Sequence, residues 1–226
     1  TIQAVILSPT RELSQQSYDV ISNLSSFMDG LRMQLLVGGT SVYSDIEQLT
    51  NNPPHIVVGC PGRTYDMMKR GHLVTKDLKL MVLDEADELL SSGFKEQIYY
   101  IFQYLPSSTQ ICLFSASMPT EVEQLTEKFM KEPQKILVKS DDLTLEGIQQ
   151  YHVALDNDGN KFDCLKDLYA SLTTSQSIIY CNSTRRVDDL CEAMISDQFP
   201  VKKIHGRMGE DERKTTFSEF KSGSCR

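Results

Sequence analysis

No stretch of this chain approaches the ~20 consecutive apolar residues that a membrane-spanning helix needs. No Cys-x-x-Cys pair occurs among its six cysteines, at positions 60, 112, 164, 181, 191 and 225, which removes the usual spacing of a zinc site. Cys60, Cys112 and Cys181 lie in or beside apolar runs. The thiols are therefore expected to be free and buried, in a reducing compartment. No basic n-region or small-residue cleavage site marks Thr1-Ile2-Gln3-Ala4-Val5-Ile6-Leu7, and there is no initiating methionine. The chain is expected to begin inside a strand. Excess positive charge is missing too. The net charge is −8 over 226 residues. Residues 148–226 hold 11 Lys and Arg against 12 Asp and Glu, which leaves 12 against 19 for residues 1–147. A broad basic nucleic-acid surface is excluded, and any bound strand must follow a narrow lined track.

Apolar runs and amphipathic stretches alternate along the chain. Strands are expected over 3–7, 33–37, 55–58, 80–83, 110–114 and 135–138. Helices are expected over 11–27, around Ile46 and Leu49, over 65–70, through Ile98, Ile101 and Phe102, and over 119–130. The polar, acidic stretch 140–147 reads as a linker. Beyond it the alternation restarts, with strands expected over 149–155, 177–181 and 201–204 and helices over 161–172, 187–195 and 210–220. Strict alternation implies a parallel sheet with helices on both faces. The fold class is therefore α/β, with residues 1–139 and 148–226 as two domains of one grammar.

Leu80-Met81-Val82-Leu83 reads as a buried strand that runs straight into Asp84-Glu85-Ala86-Asp87. Ligands of open α/β sheets bind beyond the carboxyl ends of strands. Carboxylates placed there can hold Mg²⁺, and a neighbouring one can activate a water for attack on phosphorus. The bland alternative is that the acids simply open a helix, where they favour its dipole. Four other strand ends, Pro9-Thr10-Arg11, Gly38-Gly39, Pro61-Gly62-Arg63 and Ser115-Ala116-Ser117, should lie on the same edge. Each alone reads as an ordinary turn. Together they pair helix N-termini with arginines and hydroxyls, the groups that bind phosphate.

With Asp84-Glu85-Ala86-Asp87, Pro9-Thr10-Arg11-Glu12-Leu13, Gly38-Gly39, Pro61-Gly62-Arg63, Ser115-Ala116-Ser117 and His205-Gly206 in this order, the whole chain resembles the DEAD-box RNA helicases. Ser92-Gly93-Phe94-Lys95 and Leu143-Thr144-Leu145-Glu146-Gly147-Ile148 resemble most the translation-initiation branch of that family. The resemblance implies two RecA-like parallel-sheet domains and RNA-stimulated hydrolysis of ATP. Asp84 would hold Mg²⁺ through water and Glu85 would activate the attacking water. Asp87 would bond the Ser115 and Ser117 hydroxyls and couple hydrolysis to domain closure. Pro9, Thr10, Arg11, Glu12, Gly38, Gly39, Pro61, Gly62 and Arg63 would grip the sugar-phosphate backbone of single-stranded RNA. Asn182, Ser183, Gly206 and Arg213 would continue the track on the second domain. An initiation-factor scaffold and a stimulatory subunit are implied as partners of a monomeric, cytoplasmic protein, with a nuclear location as the alternative.

Three departures stand out. Cys60 replaces the family's threonine and removes a hydroxyl that could meet a phosphate. Ser117 replaces a threonine and keeps the hydroxyl. Glu210 replaces a glutamine ahead of Arg213. The family's Gly-rich, Lys-containing phosphate loop and its arginine-finger motif do not occur in these residues, so the chain is expected to be the middle of a longer protein, with both domains incomplete. Two other functions fit less of the pattern: a non-catalytic RNA-binding or docking module, and another P-loop enzyme acting on DNA or protein. A close relative acting in splicing or ribosome assembly would share these same motifs.

Overall fold

The computed structural model describes residues 1–91, 93–137 and 147–225, without the side chain of Glu210. The chain divides into two compact units, Thr1–Leu137 and Val138–Arg226. The first contains β1 (Ala4–Leu7), α1 (Arg11–Leu24), β2 (Met33–Leu36), α2 (Val42–Asn51), β3 (Ile56–Gly59) and α3 (Pro61–Lys69). These are followed by β4 (Leu80–Leu83), α4 (Ala86–Ser91), α5 (Lys95–Gln103), β5 (Gln110–Leu113) and α6 (Thr120–Phe129).

The five strands form one parallel sheet in the order β2-β3-β1-β4-β5. Their register is flush. Leu36 pairs with Gly59, Gly59 with Leu7, Leu7 with Leu83, and Leu83 with Leu113. The loops after all five strands therefore leave from one row, which places the expected motifs on one edge. Gly59 closes β3 because a Cβ there would lie 2.2 Å from the Leu36 carbonyl oxygen, a contact only glycine avoids. Val5, Leu7, Val57, Met81 and Leu83 sit in the core with Met67, Leu89, Ile98, Ile101 and Leu125 from the covering helices.

Some boundaries differ from the sequence expectation. α3 starts at Pro61 rather than 65, because proline at a first helical position has its φ preset and loses no needed N–H. α1 ends at Leu24 rather than 27, with Phe27 and Met28 exposed and Gly30 in the left-handed region. The short α4 starts within the acidic motif, at Ala86, with Asp87 and Glu88 in its first turn, so acids do open a helix here. No strand forms over 135–137, where Ile136 is 94% exposed, and the last residue of that expectation, Val138, lies outside the described residues. The expected linker lies outside them as well, apart from Gly147, as does Ser92.

The second unit holds α7 (Lys161–Ser171), α8 (Thr184–Ser196) and α9 (Glu210–Lys221). A single 3-10 turn at Asp158–Asn160 precedes α7. The strands expected over 149–155, 177–181 and 201–204 are corrected: among the described residues these segments make no ladder. Met194 is the one fully buried hydrophobic among the unit's described residues, and Tyr151, Ile178 and Tyr180 are exposed. Strand pairing is stabilised chiefly by burial of side chains on a shared face, and that burial is missing. α8 starts at Thr184 rather than 187 because the Ser183 hydroxyl caps it, accepting the Arg186 N–H at 3.3 Å. Among the described residues no helix is long and apolar enough to cross a membrane.

Candidate functional site

The acidic motif is held at the strand ends by the neighbouring chain. Asp84 N–H donates to the Leu7 carbonyl at 2.9 Å, and Ala86 N–H to the Phe114 carbonyl at 3.0 Å. Between them Glu85 has φ +52°, in the left-handed region that a non-glycine residue adopts at a cost of ~1–3 kcal/mol. Its N–H donates to Asp84 Oδ1 at 3.1 Å, which leaves Asp84 Oδ2 for another ligand. Asp87 is the best-anchored acid. Its Oδ2 accepts the Ser117 hydroxyl at 2.5 Å and the Ser117 N–H at 3.1 Å, and its Oδ1 accepts the Glu88 N–H at 3.0 Å. The Asp87 N–H donates to Ser115 Oγ at 3.2 Å. The Ser117 hydroxyl, helped by these other donors, holds the Asp87 carboxyl below the usual carboxylate range. Asp84, Glu85, Asp87, Ser115 and Ser117 thus form one cluster across β4 and β5.

The expected backbone-gripping residues lie along the same edge. Pro9 is buried, and Thr10 caps α1, its Oγ1 accepting the Leu13 N–H at 3.2 Å. That bond uses the Thr10 hydroxyl as an acceptor and leaves its proton unused. The Arg11 guanidinium reaches the next loop, its Nη2 lying 3.5 Å from where a Cβ on Gly38 would sit. Gly39 is exposed with φ +90°, and Glu12 is exposed in the first turn of α1. Pro61 and Gly62 open α3, where N–H groups lack helical partners. Arg63 turns inward, pairing with Asp45 and donating to both the hydroxyl and the carbonyl of Thr40.

In the second unit Asn182 and Ser183 are exposed at the head of α8. His205 precedes Gly206 with both ring nitrogens engaged. Nδ1 accepts the Arg207 N–H at 3.3 Å, so the proton sits on Nε2, which donates to Asp188 Oδ1 at 3.2 Å. Asp188 also accepts from Lys203 Nζ at 2.5 Å, and this, more than the histidine, lowers its pKa. Arg213 lies in the first turns of α9.

Residues 1–125 match the DEAD/DEAH box helicase family, and residues 160–226 match the helicase conserved C-terminal domain. The chain belongs to the DEAD/DEAH box helicase family. It is 49% identical over 224 residues to ATP-dependent RNA helicase FAL1 of Mycosarcoma maydis and to ATP-dependent RNA helicase eIF4A of Coccidioides immitis. Each alignment takes in 99% of this chain and 56% of the relative, so the chain spans about half the length of the curated relatives it matches. S. cerevisiae Dbp5 bound to RNA and ADP BeF3 superposes with a TM-score of 0.88 at 28% identity, over 100% of this chain and 56% of that one. A DEAD box protein from Methanococcus jannaschii gives 0.58 at 33% identity, over 100% of this chain and 60% of that one. The α/β, RecA-like reading of this DEAD/DEAH box family member is thereby established.

Several partners of the candidate residues in each unit of this DEAD/DEAH box family member carried no signal in the sequence. Thr40 and Asp45 fix Arg63, the Ser14 hydroxyl and the Cys60 thiol share a hydrogen bond at 3.5 Å, and Asp188 fixes His205. Each acts through a partner 15 or more residues away, and no local pattern announces such a pairing. Cys60 itself does not face outward: it is buried at the head of α3.

Proposed function

We propose that this chain is the part of an ATP-dependent RNA helicase that carries its water-activating acids and a backbone-binding track for single-stranded RNA. The observation that carries the reading is Asp87, whose carboxylate holds Ser117 and whose N–H holds Ser115, tying both to the strand end that bears Asp84 and Glu85. Asp84 fits a magnesium ion held through water. One of its oxygens takes the Glu85 N–H, and no cluster of three or more ligating side chains among the described residues would strip the ion of its waters. Bound ATP and magnesium supply the phosphoryl group to be transferred, with its charge partly neutralised. Glu85 accepts the proton of the attacking water. Asp87 keeps the loop after β5 joined to α4, so a displacement of either is passed to the other. Exposed Gly39, the head of α3 and the Thr10 hydroxyl offer donors to a phosphate chain, which positions a strand without reading its sequence. The likeness to a structure whose own complex holds RNA and ADP BeF3 supports this reading.

The finer reading is unwinding of messenger 5′ structure in translation initiation. It takes the protein to be cytoplasmic and monomeric, with an initiation-factor scaffold and a stimulatory subunit as partners. The eIF4A-named relatives at 49% identity support it. A second reading, action in splicing or ribosome assembly, draws on the equal identity to a helicase of another name. Adding the full-length protein to an extract depleted of its initiation helicase should restore translation. Restored RNA processing in place of translation would favour the second reading.

The chemistry is tested by Glu85→Gln in the full-length protein. RNA-stimulated phosphate release should fall about 10²–10⁴-fold with ATP and RNA binding kept. Turnover near that of the unaltered protein would remove Glu85 from the proposed role.

A further inference from the structure

One guanidinium ties the glycine-bearing loop after β2 to the head of α3. Arg63 donates from Nη1 to Thr40 Oγ1 at 3.0 Å and from Nη2 to the Thr40 carbonyl at 2.8 Å, and it pairs with Asp45 Oδ2. The Arg63 and Asp45 side chains are only 8% and 10% exposed. Thr40 passes its own hydroxyl proton back to the Val37 carbonyl at 2.9 Å, and Gln34 Nε2 donates to the Asp45 carbonyl at 3.2 Å. A guanidinium has five N–H donors in a fixed fork. Three of its bonds are made within the protein here, one of them to the buried Asp45. A phosphate on the outer edge would have to compete with a buried carboxylate for this group.

We propose that Arg63 is a positioning residue that locks the Gly38–Thr40 loop against the first turn of α3 and does not itself contact the nucleic acid. The proposal rests on the reading of this edge as an RNA track. The clamp fixes the spacing between the exposed backbone at Gly39 and the free N–H groups at the head of α3. Two backbone donor sets held at one spacing suit successive phosphates of one strand. Asp45 is part of the device, although its charge is of the wrong sign to meet RNA.

That sign makes the proposal testable. If Arg63 gripped phosphate, Asp45 would be a competitor, and Asp45→Asn would free the guanidinium and tighten RNA binding. A positioning clamp predicts the reverse. Binding of the full-length protein to a fluorescein-labelled oligo(U) strand would be followed by anisotropy across a salt series. Asp45→Asn should weaken binding several-fold with the slope of log K against log salt unchanged. Arg63→Lys should not rescue, because a lysine keeps the charge but not the fork. Melting curves confine the comparison to folded protein. Should Asp45→Asn fail to fold, Thr40→Val removes the other end of the clamp and should weaken binding in the same way. Tighter binding by Asp45→Asn, unchanged binding by Thr40→Val, or a loss of about one unit of salt slope in Arg63→Ala would overturn the proposal. An unaltered protein that does not bind oligo(U) would defeat the RNA reading itself, and the proposal with it.

Discussion

The Cys60 thiol faces the Ser14 hydroxyl on α1 and sits where α3 begins, with no side-chain cap on that helix. Burial pushes its pKa up, against the smaller opposing pulls of Ser14 and Arg11. A hydroxyl at this position therefore serves the helix before it serves a ligand, which changes what Cys60→Thr should do. Threonine at an N-cap accepts an N–H from the first turn, and such caps are worth ~0.5–2 kcal/mol. The variant should stabilise the first unit by about that amount, raising its denaturation midpoint, and should not tighten RNA binding. Tighter RNA binding at an unmoved midpoint would show the hydroxyl facing the strand. Asp87 supports a second prediction at this scale. Its carboxyl is held below its ordinary value chiefly by the Ser117 hydroxyl. A depressed carboxylate pKa contributes stability that is present above the ordinary value and is lost as pH falls through the lowered one. Ser117→Ala should move the Asp87 titration back up toward the ordinary carboxylate range, and Ser117→Thr should not. Carboxyl carbon shifts followed by NMR through the acid range would decide it. The sequence showed the acids and hydroxyls of this cluster because they stand at strand ends. It could not show that Arg63 is occupied by Asp45, since the two stand 18 positions apart and meet only in the fold.

The strands of the first unit were readable because each is an apolar run whose length matches a buried parallel strand. The observed bounds fall within a residue of the expected ones at β1 through β5. α4 was not separated from the acidic motif, because a six-residue helix holds too few turns for periodicity. The far end of the sheet holds a feature no periodicity reveals. Arg32 N–H donates to His55 Nδ1 at 3.1 Å, and the Arg32 guanidinium reaches the Pro53 carbonyl at 3.0 Å. The same short stretch starts the β2–β3 ladder, with His55 N–H on the Arg32 carbonyl at 2.8 Å. His55 has its pKa lowered, by burial first and by the Arg32 charge second. Protonation would remove the acceptor at Nδ1 and set two cations side by side. With the folded value below the unfolded ~6.5, the neutral histidine's contribution is complete above that pH and is lost as pH falls through the lowered value. Denaturant midpoints of the first unit should therefore decline on going from pH 7.5 toward pH 5, and His55→Gln should flatten that decline. An equal slope in the glutamine variant would place the acid sensitivity elsewhere.

The two units differ in how much apolar surface each removes from water. The first buries a continuous cluster that takes in Val5, Leu36, Val57, Met81, Leu83, Leu89, Ile98, Ile101 and Leu125. The second fully buries only Met194 among its described hydrophobic residues and leaves Tyr151, Ile178, Tyr180 and Ile204 exposed. Burying a large aliphatic side chain is worth roughly 1.5–3 kcal/mol, and ordering each residue costs ~1–2 kcal/mol of backbone entropy. The first unit has the means to offset that entropy and the second does not. For a polypeptide of these 226 residues alone, amide exchange should separate the units. The amides of β1, β3 and β4, inside the sheet, should exchange slowly and together. Those of 149–155, 177–181 and 201–205 should exchange within the dead time of the measurement. The same polypeptide should release no phosphate from ATP with or without RNA, since no Gly-rich loop with a lysine to cradle the β- and γ-phosphates occurs in it. The two outcomes are independent. Protection across 177–181 would show a sheet in the second unit that its exposed side chains argue against. RNA-dependent hydrolysis would mean that Asp84 and Glu85 work on a nucleotide held by groups other than a phosphate loop.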